Sequence, residues 1–162
     1  MGQSPEGDDC NNAGCGDPLL NGPTEFGFYS PTPVQWTTNG KKYCVAGDLL
    51  FCVRGSTTGR MNWANQSYAI GRGLAAIRHK KDSNFNWFIK AMVDNSLNDI
   101  LAAATGSTFP NIGKELLNGF YVIIPDETSL QKYGPQGYAI FRMITDNAKE
   151  IDFLYALKKT LL

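Results

Sequence analysis

The 162-residue chain is predicted to fold as a mixed α/β domain, and three features carry that expectation. Residues 49–53 and 68–78 are apolar, strand-like runs bounded by turn-forming residues. From Asn84 onward the apolar positions recur at helical spacing. The first forty residues are rich in Gly, Pro, Asn and Asp, which places irregular chain and short strands ahead of both.

In chain order, residues 1–40 scatter Phe26, Phe28, Tyr29 and Trp36 among turn residues, so this segment reads as irregular structure pinned by aromatics. Ala46, Gly47 and Asp48 turn into a strand at 49–53. A loop from Gly55 to Gly59 follows, and the next strand begins at Arg60 to Trp63. Residues 68–78, YAIGRGLAAIR, read as a strand interrupted at Gly71, Arg72 and Gly73, the sign of a bulge or of a close backbone approach. Residues 84–95 are expected to form a helix with Trp87, Phe88, Ala91 and Met92 on one face. Ser96 is positioned to cap a second helix ending at Ala104. After a loop at 105–110, Asn111 is positioned to cap a helix at 112–118 that Gly119 ends. Residues 120–124 read as a strand stopped by Pro125, and residues 129–137 as a turn built on Gly134, Pro135 and Gly137. Residues 138–144 fit either a strand or the start of a helix. Residues 146–162 form an amphipathic helix with Ile151, Leu154, Leu157, Lys158 and Leu161 near heptad spacing.

Composition excludes several classes. No apolar run approaches the roughly 20 residues that span a bilayer, and MGQSPEGDDC is not a secretory signal, so a cytoplasmic protein is expected. Cys10, Cys15, Cys44 and Cys52 include no Cys-x-x-Cys pair, which argues against zinc and for Cys44 and Cys52 as small core residues. His79 is the only histidine and lacks the partners of a metal cluster or a nucleophile triad. There is no phosphate-binding Gly-x-x-x-x-Gly-Lys-Ser/Thr loop, no Gly-x-Ser-x-Gly elbow and no paired-carboxylate signature. These residues leave an enzyme open without arguing for one, and they indicate neither a metal site nor a cofactor of the chain's own.

The charge distribution is more informative than its zero net value. Residues 1–40 carry five acidic side chains and no Lys or Arg. Residues 41–81 carry eight basic ones against Asp48 alone. Such a local excess attracts phosphate, or it is a solvated face neutralised by the acidic N-terminal segment. Within it, Arg54 and Arg60 bracket Ser56 and Thr57, and a second polar loop carries Ser107 and Thr108. Arginine bonds bidentately to guanine, and hydroxyls and bare amides suit phosphate oxygens; Asn62 and Gln66 are of a type that contacts adenine.

Stretches in order along nearly the whole chain resemble a target recognition domain of a type I restriction–modification specificity subunit. They are residues 1–5 (MGQSP), 16–26 (GDPLLNGPTEF), 47–51 (GDLLF) with Val53 and Arg54, Gly59 and Arg60, 69–78, 105–117 (TGSTFPNIGKELL) and 122–125. The final helix, with Glu150, Ile151 and residues 157–162, resembles the start of the spacer that follows such a domain. The resemblance implies a twisted, partly rolled mixed sheet with flanking helices. It implies a recognition domain at 1–145 and a spacer opening at 146–162. It further implies a module, not an enzyme, that reads one half of a split double-stranded DNA target through the major groove and has no catalysis of its own. A methyltransferase subunit, which binds S-adenosylmethionine, and a restriction subunit are the implied partners. Arg54, Ser56, Thr57, Arg60 and Asn62, with Ser107 and Thr108, are the expected base-contacting residues. Lys80 and Lys81 are expected to meet phosphates, and Arg72 is either an ion-pair partner or a DNA ligand. The chain departs from the family in carrying one domain and about half a spacer, so both ends are expected to be cut. A second reading is a fragment that docks on the methyltransferase through the 146–162 helix with little DNA affinity.

Overall fold

A computed structural model describes residues 1–27, 30–106 and 109–161. Eight strands run in chain order: β1 Cys10–Asn11, β2 Asp17–Leu20, β3 Gln35–Thr37, β4 Tyr43–Cys44, β5 Leu49–Cys52, β6 Met61–Trp63, β7 Tyr68–Ile70 and β8 Leu74–Ile77. Three helices follow: α1 Asn86–Ala102, α2 Lys114–Gly119 and α3 Glu127–Leu161. The chain divides into two compact units, Met1–Ile123 and Ile124–Leu162.

In the first unit the strands form two sheets, ordered β1-β3-β2-β7-β4 and β6-β5-β8. β2 and β7 pair in parallel and the other ladders are antiparallel. The mixed class expected from the sequence is what forms. The apolar run LLFCV has its reason in β5, whose residues are all buried. Successive strand side chains point to opposite faces. Leu50 and Cys52 enter one core with Leu20, Cys44, Tyr68, Ile70 and Leu74. Leu49, Phe51 and Val53 enter a second core with Ala75, Ile89, Val93, Ile100 and Ile112. A strand with a core on each face cannot alternate with polar residues. Cys44 and Cys52 are core residues, and burial pushes the Cys44 thiol up to about 11, which keeps it out of thiolate chemistry.

The glycine-marked break at 71–73 is the point where the chain leaves one sheet for the other, since β7 belongs to the first and β8 to the second. The backbone is crowded here. Gly71 N–H bonds to the Leu20 carbonyl (2.8 Å), Val53 N–H to Gly73 (2.9 Å), Gln3 N–H to Ile70 (2.9 Å) and Gly2 N–H to Leu74 (2.8 Å). A Cβ on Gly71 would meet the Asn21 side-chain oxygen, and one on Gly73 the Asn21 carbonyl. Close approach, not a bulge, is what these glycines permit.

Four expectations are corrected. Residues 84–104 hold one α-helix, not two. Ser96 sits buried within α1, because Ile89, Val93 and Ile100 continue an unbroken apolar stripe through it. Those residues form the core-facing line, whereas Trp87 and Phe88 are only half-buried. Asn111 does not cap α2, which starts three residues later. Instead it exchanges backbone bonds with Thr105 (2.7 and 3.1 Å). Residues 120–124 form no strand, and Tyr121 and Ile123 are 95% and 81% exposed; their β propensity finds no ladder partner. Residues 129–137 are helix, not turn. Asp126 accepts from the Ser129 amide (2.8 Å) and hydroxyl (2.9 Å), which start α3 and hold the Asp126 carboxyl below its ordinary range. Pro135 then lies inside α3. No helix among the described residues is long and apolar enough to cross a membrane.

Candidate functional site

The β5–β8 register, Cys52 opposite Leu74 and Leu49 opposite Ile77, sorts the predicted site residues into two groups. At one end of the three-stranded sheet β5 leads into Arg54 and the 55–60 loop, and Arg72 precedes β8. At the other end lie Asp48, Arg78, His79, Lys80 and Lys81. The structure therefore does not bring Lys80 and Lys81 to the arginine loops. Lys80 lines a separate cleft with Arg78 and Lys114, and Lys81 is exposed. His79 accepts the Asp82 amide at Nδ1 (3.0 Å) and packs near Phe85, a local structural role.

The 55–60 loop is a tight return, with positive φ at Gly55 (92°) and Gly59 (91°). Gly59 N–H bonds to the Cys52 carbonyl (2.9 Å), and a Cβ there would press on Leu97 and Leu101 of α1. Ser56, Thr57 and Arg60 are exposed on this loop. Among the described residues the Arg60 side chain makes one long contact, 3.5 Å to the Pro23 carbonyl. The two polar loops that are separate in sequence are joined in space. Arg54 bridges to Asn111, Ile112 N–H bonds to Val53 (2.9 Å), and Thr58 Oγ1 lies 2.8 Å from the Gly55 carbonyl and 2.9 Å from that of Pro110. Ser107 and Thr108 lie outside the described residues. Thr58→Val is expected to cost about 1 kcal/mol by removing this tie, measurable as a lower urea midpoint.

Asn62 is placed differently from its expected role. Its side chain is 9% exposed, its amide donates to the Gly27 carbonyl (3.2 Å) and its oxygen accepts the Trp63 amide (2.7 Å). Its bonding capacity is turned inward, so it holds the frame of the loops. Gln66 likewise donates to the Tyr68 hydroxyl (3.3 Å).

Arg72 comes together with Arg54. Both line a cleft of about 560 Å³ with Ser4, Asn21 and Gly73, and Ser4 Oγ accepts the Arg72 amide (3.2 Å). Neither guanidinium forms an ion pair with a described residue. Reasoning from the sequence missed Ser4, Asn21 and Asn111, although Ser4 and Asn21 stand in the GQSP and GDPLLNG stretches. Chemically, this end of the sheet offers guanidinium forks, hydroxyls and exposed loop backbone, with no group of three His, Cys, Asp or Glu that could hold a metal among the described residues.

No protein-family model matches the chain. A protein of Methanocaldococcus jannaschii that carries the provisional name type I restriction enzyme MjaX specificity subunit is 31% identical over all 162 residues, which make up 38% of that relative. A chain from a solved type I R-M system is 29% identical with a TM-score of 0.67, over 99% of this chain and 40% of that one. The HsdS subunit of Thermoanaerobacter tengcongensis is 26% identical with a TM-score of 0.66, over 95% of this chain and 36% of its own. The chain thus spans about two fifths of the length of the proteins it matches.

Proposed function

We propose, on the premise that this chain is homologous to one region of type I restriction specificity subunits, that it is a non-catalytic DNA-recognition module. It reads one half of a bipartite target and directs an adenine methyltransferase and restriction complex. The observation that carries this reading is the joining of the Arg54–Arg60 loop to Pro110 and Asn111, beside a surface of arginines, hydroxyls and exposed loop backbone. Loops on a rigid sheet can vary in sequence, and so in target, without cost to the core. Arg60, Ser56 and Thr57 are the base-reading residues. Lys80 and Lys81, at the far end of β8, meet the phosphate backbone if the duplex extends that way. S-adenosylmethionine is bound by the partner methyltransferase, and the complex works in the cytoplasm.

α3 supports protein partners within the same reading. Ile140, Met143, Ile144, Leu154, Leu157 and Leu161 are exposed at helical spacing, as a docking helix requires.

Binding of the chain to a pool of random duplexes at two salt concentrations, with the bound fraction sequenced, tests the proposal. A short enriched motif is the expected result. Arg60→Ala is expected to weaken binding to that motif about tenfold and to relax one of its positions. Lys80→Ala is expected to leave the motif unchanged. Absence of binding at either salt would refute the DNA reading.

A further inference from the structure

We propose that Arg54 and Arg72 grip one phosphate of the DNA backbone in the cleft they share, so that they fix the register of the duplex and do not read its sequence; this rests on the DNA-recognition reading. The cleft is lined by Ser4, Asn21, Arg54, Arg72 and Gly73. Two arginines line it, and no acidic residue does. Both arginines are exposed, and neither is ion-paired with a described residue. Two unneutralised cations at one cleft repel one another unless an anion joins them, and the planar fork of arginine matches phosphate oxygens.

The mounting of Arg72 distinguishes a grip from a reader. It sits between Gly71 and Gly73, where the chain crosses from one sheet to the other. Its neighbours bond to Leu20 of β2 and to Val53, the residue after β5, and its own amide bonds to Ser4 Oγ. Arg54 follows directly on the buried β5 and Val53 and is bridged to Asn111. Both are therefore carried on framework whose position the two cores fix, unlike Ser56 and Thr57 at the loop tip. Contacts to phosphate position a protein on DNA, and contacts to base edges specify the sequence.

The experiment has two arms. In the first, inorganic phosphate is titrated into the ¹⁵N-labelled full chain, with chloride as the control. The amides of Ser4, Arg72 and Gly73 are expected to shift with phosphate alone, and no shift there overturns the proposal. In the second, duplex affinity is measured against salt for the wild type, Arg54→Gln, Arg72→Gln and the double variant, with thermal unfolding as the folding control. One phosphate corresponds to about 0.9 in the slope of log affinity against log salt. The double variant is expected to lose about 0.9, with affinity falling equally on all duplexes and the enriched motif kept. A loss of about 1.8 would mean two separate contacts, and a changed motif would mean base reading; either overturns the shared grip while leaving the DNA reading intact. A wild type that binds no duplex refutes the DNA reading and the DNA grip with it. The phosphate arm separately decides whether the cleft holds an anion.

Discussion

Gly73→Ala is expected to destabilise the first unit by about 3 kcal/mol, a strong effect for one methyl group. The new Cβ would run into the Asn21 carbonyl oxygen, with Gly22 Cα behind it at 3.7 Å. Neither side can give way cheaply. Asn21 follows directly on β2, whose Leu20 is paired with Ile70, and the Gly73 carbonyl holds the Val53 amide. Relief of the clash requires breaking a ladder in one sheet or the other. Gly71→Ala is expected to cost less, because the nearest atom is the Asn21 side-chain oxygen, which can turn aside. Gly113→Ala is the control, since its φ is −73° and nothing stands within 4 Å of the added methyl. Urea midpoints measure the three. Equal midpoints for Gly73→Ala and Gly113→Ala would show that the crossover is not tightly packed.

Arg78→Ala is expected to cost about 2 kcal/mol at neutral pH, less than for a fully buried pair because the Arg78 side chain is 46% exposed, and much less in acid. Asp48 is 1% exposed, and its Oδ2 accepts from Arg78 (2.6 Å) and from the Val45 amide (2.8 Å). Its other oxygen is buried without a hydrogen-bond partner among the described residues. Burial pushes the Asp48 carboxyl above its ordinary range, against the opposing pull of the Val45 amide and the Arg78 guanidinium. A raised folded value means that the folded state holds this proton more firmly than the unfolded chain does. The contribution of Asp48 to stability is therefore greatest below the ordinary carboxylate pKa and is lost as pH rises through the folded value. Removing Arg78 takes away one of the two groups that favour the ionised form and pushes the folded value higher still. The gap between wild type and variant is expected to be small near pH 3 and to widen towards pH 7. Unfolding at a series of pH values checks the sign, and a gap that narrows on the alkaline side would refute it.

The failures of reasoning from sequence share a physical cause. Residues 120–124 have the composition of a strand, but a strand exists only where a neighbour offers a ladder, and sequence does not show neighbours. Gly134 and Pro135 are turn signals, yet the Asp126 cap starts a helix that runs through them. Ser96 is a good cap residue, but an apolar stripe on both sides of it made helix more favourable than a break. Asn62 has the chemistry of a base reader, and only its neighbours Gly27 and Trp63 show that its amide is already engaged.

The sequence by itself determined the mixed α/β class, the buried 49–53 strand, the core cysteines, a break at Gly71 to Gly73 that was either a bulge or a close approach, and the resemblance to specificity subunits. Each of these is written locally, in side-chain type, spacing or ordered motif. Only the tertiary structure decided that residues 49–53 face two cores at once, that Arg54 and Arg72 share a cleft while Lys80 and Lys81 stand at the other end of β8, and that the 55–60 loop is tied to Pro110 and Asn111. These depend on strand register and on contacts between residues far apart in the chain, and a shift of one residue in register exchanges the faces of a strand.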